Sequence, residues 1–234
     1  MIEFEPRDNV RFIKHIRVPM SDGVELSLDM HVPDSDDWST TPRPLLLEYI
    51  PYRKDDSPPY SGYHQRFAEH GIIGARLDCR GSGASAGVTD DEYSVQEQQD
   101  GAAAIEWLAA QPWCNGSVGT LGASYCAADQ SALAALAPPA LAAMIVQFGP
   151  SSYFHSSMRQ NGALEMRFLV YAFSMAATSR EAAADPGLKR VLTEASEHVW
   201  DYLAAGPIRA GATPLRLIPS YERWALEIQQ RGTY

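Results

Sequence analysis

Residues 12–33 alternate between apolar and polar positions in a way that predicts a β-hairpin. Asp22-Gly23 is a turn signal, and the residues after it place apolar and polar side chains in strict alternation up to Val32. Successive side chains of a strand point to opposite sides, so the pattern predicts one buried face and one solvated face. His31 falls on the polar face, and we expect it to be a surface histidine without a catalytic role.

Continuous apolar runs alternate with helical patterns over about the next hundred residues. The runs at residues 45–50, 72–77 and 141–148 show no alternation, which is typical of strands buried on both faces of a parallel sheet. Residues 90–110 predict a helix whose acidic first turn complements its dipole. The alternating order of strands and helices predicts an α/β fold with a parallel sheet and right-handed crossovers.

The pattern changes after Gly149-Pro150, where apolar residues recur at helical spacing. We therefore predict two domains, a core over residues 1–150 and a helical domain over residues 151–234. The predicted apolar faces include Phe168 and Met175, Leu192 and Val199, and Trp224 and Ile228.

A strand-to-helix corner at Ser124 carries the strongest chemical signal. Residues 118–121 predict a short buried strand, and an alanine-rich helix continues from Ala127. A serine at such a corner exposes its hydroxyl, and the backbone N–H groups after it point at the oxygen that it attacks. Gly122 matches the first glycine of the G-x-S-x-G pattern but Cys126 replaces the second, so the pentapeptide alone is better explained as an ordinary helix N-cap.

Charge and cysteine content narrow the class of protein. Nineteen basic and 29 acidic residues leave a net charge of −10, which argues against a nucleic-acid or anionic-membrane partner. The first residues show no signal-peptide pattern, and Pro138-Pro139 interrupts the longest apolar run, so we expect a cytoplasmic protein without a membrane span. The three cysteines, Cys79, Cys114 and Cys126, are predicted to be free buried thiols.

A cofactor and a metal both lack support in the sequence. Gly81, Gly83 and Gly87 follow a predicted strand, but their last gap is one residue too long for a dinucleotide motif. The acidic run at residues 90–92 would also repel a pyrophosphate. Neither CxxC nor HExxH spacing occurs, so we expect neither a cofactor nor a metal site.

The stretch WLAAQPWCNGSVG at residues 107–119, followed by Gly-x-Ser-Tyr, resembles the elbow of the cocaine esterase and Xaa-Pro dipeptidyl-peptidase group of α/β-hydrolases. In that group the small residue falls three places after the serine, where this chain has Ala127. The resemblance implies an α/β-hydrolase sheet, mostly parallel with an N-terminal hairpin, and a helical cap over the active site. It also implies a serine hydrolase of esters or amides that forms an acyl-enzyme at Ser124.

The same resemblance assigns an oxyanion hole. A Pro-Tyr pair follows this strand in the family, which implies that the hydroxyl of Tyr52 helps to bind the oxyanion. The backbone N–H of Tyr125, directly after the serine of the elbow, is the other expected donor. Without the family, Tyr52 is better explained as a packed loop residue. The phrase at residues 78–87 resembles a structural turn in which Asp78 and Arg80 brace the loop, and the charges at residues 53–56 are expected to be solvated.

The resemblance also implies that this chain is catalytically incomplete. In the family the triad's acid and histidine follow the cap on two further strands, and a β-sandwich domain comes after them. We expect these parts to be absent here and the partner to be the remaining C-terminal part as a second chain, or another copy in a homo-oligomer. His155 is the least implausible base within the chain. The expected substrates are small esters, amides or short peptides, and the alternative is an inactive hydrolase-fold module that binds or regulates.

Overall fold

Six strands form one sheet in the part of the chain that the computed structural model describes, residues 8–55, 61–150 and 152–230. The order across the sheet is β1-β2-β4-β3-β5-β6. The hairpin β1–β2 is antiparallel and β2 pairs antiparallel with β4, whereas the pairs β4–β3, β3–β5 and β5–β6 are parallel. The predicted α/β sheet with an N-terminal hairpin is therefore confirmed. The strands are β1 (Val10–Pro19), β2 (Glu25–Pro33), β3 (Arg43–Ile50), β4 (Ile73–Asp78), β5 (Cys114–Ala123) and β6 (Leu141–Gln147).

Three helices connect the parallel strands: α1 (Ser61–Glu69), α2 (Val95–Ala109) and α3 (Tyr125–Ala134). The helix α2 begins five residues later than the acidic run suggested. Ser94 caps it, because the Ser94 side chain accepts a hydrogen bond from the backbone N–H of Glu97 at 3.1 Å. Residues 90–92 therefore precede the helix instead of forming its first turn.

The hydrophobic core lies between the sheet and α2. Leu28 of β2, Leu47 of β3 and Val118 of β5 are fully buried, and Ile105 and Leu108 of α2 pack in the same cluster. All three cysteines are buried and free, as predicted.

The prediction that His31 is exposed is wrong. Three polar residues of β2, Ser27, Asp29 and His31, are buried beside its apolar ones, and His31 is only 5% exposed. The His31 ring stacks on Phe12 at 4.4 Å and lies parallel to the ring of His64 in α1 at 6.4 Å between centroids. Alternation reveals two faces of a strand, but it does not reveal that a helix covers the second one.

The strand β6 was predicted correctly, but its predicted burial is wrong. Six of its seven residues are exposed, and Met144, Ile145 and Val146 each keep more than 40% of their surface. The strand is the last one in the sheet, and among the described residues no strand pairs with its outer edge. The apolar composition therefore predicted a strand whose side chains could be buried. It did not show which part of the protein would cover them.

The chain divides into two compact units. The first holds the sheet and comprises the described residues up to 87 and those from 93 to 149, and the second comprises residues 88–92 and the described residues from 150 onwards. Within the second unit, the hydroxyl of Tyr153 donates a short hydrogen bond to the Glu92 carboxylate, and the Tyr153 ring packs edge-on against Phe168. This contact ties the segment 88–92 to the rest of its unit.

Helices dominate the second unit, as the periodicity predicted. Phe168, Leu192 and Trp224 from the predicted faces are buried. A short hairpin of β7 (Arg159–Gln160) and β8 (Ala163–Leu164) was not predicted, although its Asn161-Gly162 turn is a hairpin signal. The helices are α4 (Arg167–Ala177), α5 (Arg180–Ala184), α6 (Pro186–Glu197), α7 (Val199–Leu203) and α8 (Pro219–Gln230), with a π-helix at Phe154–Met158 and a 3-10 turn at Pro214–Leu217.

Candidate active site

Ser124 is the single residue between the end of β5 and the start of α3, and it is exposed. Its backbone has φ 57° and ψ −117°, a region in which a residue with a side chain is strained by about 1–3 kcal/mol. Hydrogen bonds hold this conformation from both sides. The Ser124 N–H donates to the carbonyl of Gln147 at 3.0 Å, and the Ser124 carbonyl accepts from Ala127 and Ala128 at 3.1 Å each. The strained corner presents the hydroxyl to solvent.

Small residues allow the strand and the helix to approach so closely at this corner. A Cβ atom added to Gly122 would lie 2.5 Å from the Cβ of Cys126 and 2.9 Å from its backbone. A Cβ added to Gly149 would lie 3.2 Å from the Cβ of Ala127. Cys126, which stands where the pattern has its second glycine, is almost completely buried in this contact.

Tyr52 follows β3 at the same edge of the sheet where Ser124 follows β5. The two strands are parallel neighbours with Leu47 opposite Thr120, so their carboxyl ends lie side by side. The rings of Tyr52 and Tyr125 meet edge to face, with centroids 6.0 Å apart and an interplanar angle of 73°. The structure therefore brings together the elbow and both residues predicted for the oxyanion hole.

Buried charges brace the loop that carries Tyr52. The backbone N–H of Lys54 donates to the Asp78 carboxylate at 2.6 Å, and the Lys54 carbonyl accepts from the Arg76 guanidinium at 2.7 Å. The Lys54 ammonium is fully buried and lies 3.1 Å from the Asp29 carboxylate. The prediction that residues 53–56 are solvated is therefore wrong for Lys54, and Asp56 lies outside the described residues. The sequence pattern could not identify Asp29 as the partner of the Lys54 ammonium, because Asp29 lies in the N-terminal hairpin, far from Lys54 along the chain.

The turn after β4 completes this brace. The Asp78 carboxylate also accepts from the backbone N–H of Ala84 at 2.9 Å, and the Ser82 hydroxyl donates to the carbonyl of Pro51 at 2.6 Å. Burial raises the pKa of Asp78 to about 6. Arg80 forms a double hydrogen bond with Asp100 at 2.6 and 2.8 Å. The bracing roles expected for Asp78 and Arg80 are confirmed.

Sequence reasoning missed Glu97, which lies behind the elbow in α2. The Tyr125 hydroxyl donates to the Glu97 carboxylate at 3.0 Å and accepts from the backbone N–H of Tyr93 at 3.2 Å. Burial raises the pKa of Glu97 to about 7. The Ser-x-x-Glu pattern at residues 94–97 predicts a helix start, but it contains no signal for this contact with Tyr125.

Cys79, Glu97 and Asp129 form a buried group whose oxygen and sulfur atoms all lie within 4.8 Å of one another. Burial raises the pKa of the Cys79 thiol well above its usual range, as it raises that of Glu97. A thiol must lose its proton to bind a metal, so these surroundings favour hydrogen-bonded acids over a cation. The absence of a metal site stays a prediction. Asp129 points into this group, away from the corner at Ser124.

The histidines of the first unit are engaged by groups other than the Ser124 hydroxyl. In the second unit, His155 is exposed with its ring against Phe154, and His198 lies 3.7 Å from the carboxylate of Asp201. Among the described residues of the first unit, no hydrogen bond joins a histidine to Ser124. The first-unit contacts are His15 with Ser27 at 3.3 Å, His31 with the rings of Phe12 and His64, His64 with Glu48 at 3.2 Å, and His70 with the carbonyl of Arg66 at 2.8 Å.

This chain is similar in sequence and in fold to known hydrolases. The family model described as X-Pro dipeptidyl-peptidase (S15 family) matches residues 22–234. Cocaine esterase from Rhodococcus sp. is 34% identical over 125 residues, covering 52% of this chain and 21% of the esterase. A CocE/NonD family hydrolase from Staphylococcus aureus is 26% identical in its crystal structure, with a TM-score of 0.63 over 71% of this chain and 33% of that one.

An α-amino acid ester hydrolase structure is similar in fold, with a TM-score of 0.56 at 20% identity. It covers 75% of this chain and 31% of the hydrolase. The chain thus spans about a fifth of the length of the cocaine esterase and about a third of these solved hydrolases. None of the helices built from the described residues combines the length and the apolar character that a membrane crossing requires.

Proposed function

Because the chain belongs to the X-Pro dipeptidyl-peptidase (S15) family of hydrolases, we propose that it carries the nucleophile and the oxyanion hole of a serine hydrolase. The observation that carries the proposal is the exposed hydroxyl of Ser124 on a strained corner. Strain of this kind persists only where the surrounding structure enforces it, and it concentrates at functional sites. Residue Ser124 is the proposed catalytic nucleophile.

The proposed reaction is acyl transfer to Ser124. The hydroxyl oxygen attacks the carbonyl carbon of an ester or amide while a base takes its proton, and the resulting tetrahedral intermediate carries a negative oxygen. The bond to the leaving group then breaks, and the leaving group takes up the proton. Water hydrolyses the remaining acyl-enzyme by the same steps in the second half of the cycle.

The backbone N–H of Tyr125 and the hydroxyl of Tyr52 are the proposed donors to that oxygen. Tyr125 begins α3, so its backbone N–H lies at the helix N-terminus, where the helix dipole favours a negative charge. Tyr52 is held by the braced loop, so its hydroxyl does not need to reorganise during the reaction. Removing one such donor typically costs about 2.7–4 kcal/mol of transition-state stabilisation.

We also propose that the base and the acid of the triad come from polypeptide outside the described residues. In α/β-hydrolases both follow the serine in sequence, on loops after later strands of the same sheet. Among the described residues, no strand of this sheet follows β6. The outer edge of β6 is the position where further strands would pair.

The proposed substrates are small esters, amides or short peptides, including Xaa-Pro amides. The support is the family description and the printed names of the relatives, a cocaine esterase and an α-amino acid ester hydrolase. A panel of acyl esters assayed beside Xaa-Pro amides separates esterase, acylase and peptidase preferences.

Labelling with a fluorophosphonate tests the nucleophile. The material is the competent enzyme, meaning this chain together with whatever polypeptide supplies the base. We expect wild type to be labelled on Ser124 and S124A not to be labelled, because the attacking oxygen is gone. Ser131, whose hydroxyl bonds the carbonyl of Ala127 within the same helix, gives the matched control S131A, which should label normally. Y52F should lower the labelling rate by about 10²–10³.

Three outcomes would contradict parts of this proposal. Unchanged labelling in S124A would remove Ser124 as the nucleophile. An unchanged rate in Y52F would leave Tyr52 as a packed loop residue. A wild-type protein that neither labels nor turns over any ester would favour an inactive module of the same fold.

A further inference from the structure

Tyr125 is anchored at both ends. Its main chain starts the elbow helix directly after Ser124, and its side chain is 2% exposed. The hydroxyl at the tip of that side chain donates to Glu97 at 3.0 Å and accepts from Tyr93 at 3.2 Å. A buried phenol with both hydrogen bonds made has one stable orientation.

Glu97 is itself held rigidly in the first turn of α2. Its backbone N–H donates to the Ser94 side chain at 3.1 Å, and its carbonyl accepts from the Tyr49 hydroxyl at 3.3 Å. Its carboxyl group faces Tyr125 and Asp129 from α3, Cys79 from the turn after β4, and the backbone of Tyr93. The acceptor for Tyr125 is therefore fixed by the packing of three elements.

The ring of Tyr125 connects this anchor to the other oxyanion donor. The centroid of the Tyr93 ring lies 4.2 Å from that of Tyr125, and the Tyr52 ring packs edge to face against Tyr125 at 6.0 Å between centroids. A rotation of the Tyr125 ring would change the surface on which Tyr52 rests. It would also pull on the backbone that follows Ser124.

We propose that Glu97 is a positioning residue of the oxyanion hole, which orients both donors by accepting the hydrogen bond of the Tyr125 hydroxyl. It acts on Tyr52 through the Tyr125 ring and on the Tyr125 N–H through the side chain of the same residue. The inference depends on the proposed function, because it assigns a role within that site.

Steady-state kinetics of the competent enzyme with one activated ester test this role. E97A and Y125F both remove the hydrogen bond, and each should lower kcat by about 10- to 100-fold, since small misplacements of catalytic groups cost this much. KM should stay within about 3-fold, because substrate binding does not use the oxyanion hole fully. The two changes together should cost no more than one alone, since both remove the same interaction.

A conservative variant and a control separate positioning from general stability. In E97Q the amide oxygen can still accept from the Tyr125 hydroxyl, so most of kcat should return. Glu106 is another acid of α2, but its carboxylate accepts from the backbone N–H of Ala140 instead of the Tyr125 hydroxyl. E106A, which removes a hydrogen bond of the same helix away from the site, should leave kcat near the wild-type value.

The outcomes distinguish this inference from the proposed function. Wild-type kcat in Y125F, which loses one hydroxyl and should fold, would overturn the role of Glu97 while Ser124 labelling stayed intact. A rise in KM at constant kcat would also overturn it. If wild type itself shows no labelling at Ser124, the proposed function fails first.

Discussion

At the scale of single residues, backbone conformation explains why a serine hydroxyl stands exposed at this corner. An ordinary N-cap residue has an extended backbone and uses its side chain to accept from the helix. Ser94 does so, with φ −60° and a hydrogen bond from Glu97. Ser124 has φ 57° and its side chain makes no capping bond, so the hydroxyl is left for another purpose. Ser94 and Ser124 both precede a helix, but they differ in backbone conformation and in whether the side chain caps the helix.

This strain predicts an unusual order of stability for two inactive variants. S124G should be more stable than S124A by about 1 kcal/mol, because glycine relieves the positive φ although it gains entropy in the unfolded chain. Chemical denaturation measures both. Ser131, inside α3, is the control, and there the order should reverse, with glycine less stable than alanine by about 1 kcal/mol. An S124A protein as stable as S124G would show that the corner is not strained.

At the scale of elements, packing of α1 on the sheet creates a buried polar layer. His31, His64 and the pair of Glu48 with Arg76 lie in this layer, and the Arg76 guanidinium donates to Glu48 at 2.7 Å. Burial, with added repulsion from His64 and Arg76, lowers the pKa of His31 to about 4. His31 is therefore neutral in the folded protein at pH values where an unfolded chain would protonate it.

This shift predicts acid sensitivity that depends on His31. Between pH 6.5 and 4 the unfolded chain binds a proton at this residue and the folded protein does not, so stability falls as pH falls. The full shift is worth about 3 kcal/mol. The free energy of unfolding, measured from pH 7.5 to 4, should fall less steeply in H31F than in wild type. The control F12L disturbs the same ring stack but keeps the imidazole, so its free energy of unfolding should change with pH as steeply as that of wild type. If H31F showed the same steepness as wild type, His31 would not be the source of the acid sensitivity.

At the scale of the whole molecule, the exposed strand β6 bears on the proposal that further polypeptide supplies the base and the acid. An edge strand with apolar side chains exposed on both faces is an unusual surface for a lone protein and a ready partner for another strand. This agrees with a base and an acid supplied by further polypeptide that extends the sheet.

We therefore expect the purified 234-residue chain alone to be a poor esterase. Without a base, turnover should lie about 10⁴–10⁶ below that of the competent enzyme. Ester hydrolysis is measured on material whose intact mass shows a single polypeptide. Turnover at ordinary enzyme rates that H155A abolishes would place the base within the chain.

Features that depend on neighbouring residues could be predicted from the amino-acid sequence. The hairpin turn at Asp22-Gly23, the order of strands and helices, and the corner at Ser124 could all be predicted, because periodicity and turn chemistry act over a few residues. The family phrase around the elbow identified the hydrolase group in the same local way. The ends of helices and strands were predicted less accurately. The helix α2 is an example, because a single capping residue, Ser94, sets where it begins.

Which of these residues are buried, and which residues they contact, became clear from the folded structure and not from the sequence. His31 and Lys54 look like surface residues in the sequence, but His31 lies against α1 and the Lys54 ammonium is buried beside Asp29 of the hairpin. β6 looks buried and is exposed. The hydrogen bond from Tyr125 to Glu97 joins residues 28 positions apart on two helices. Burial and such contacts depend on how distant segments pack, and no local pattern carries that information.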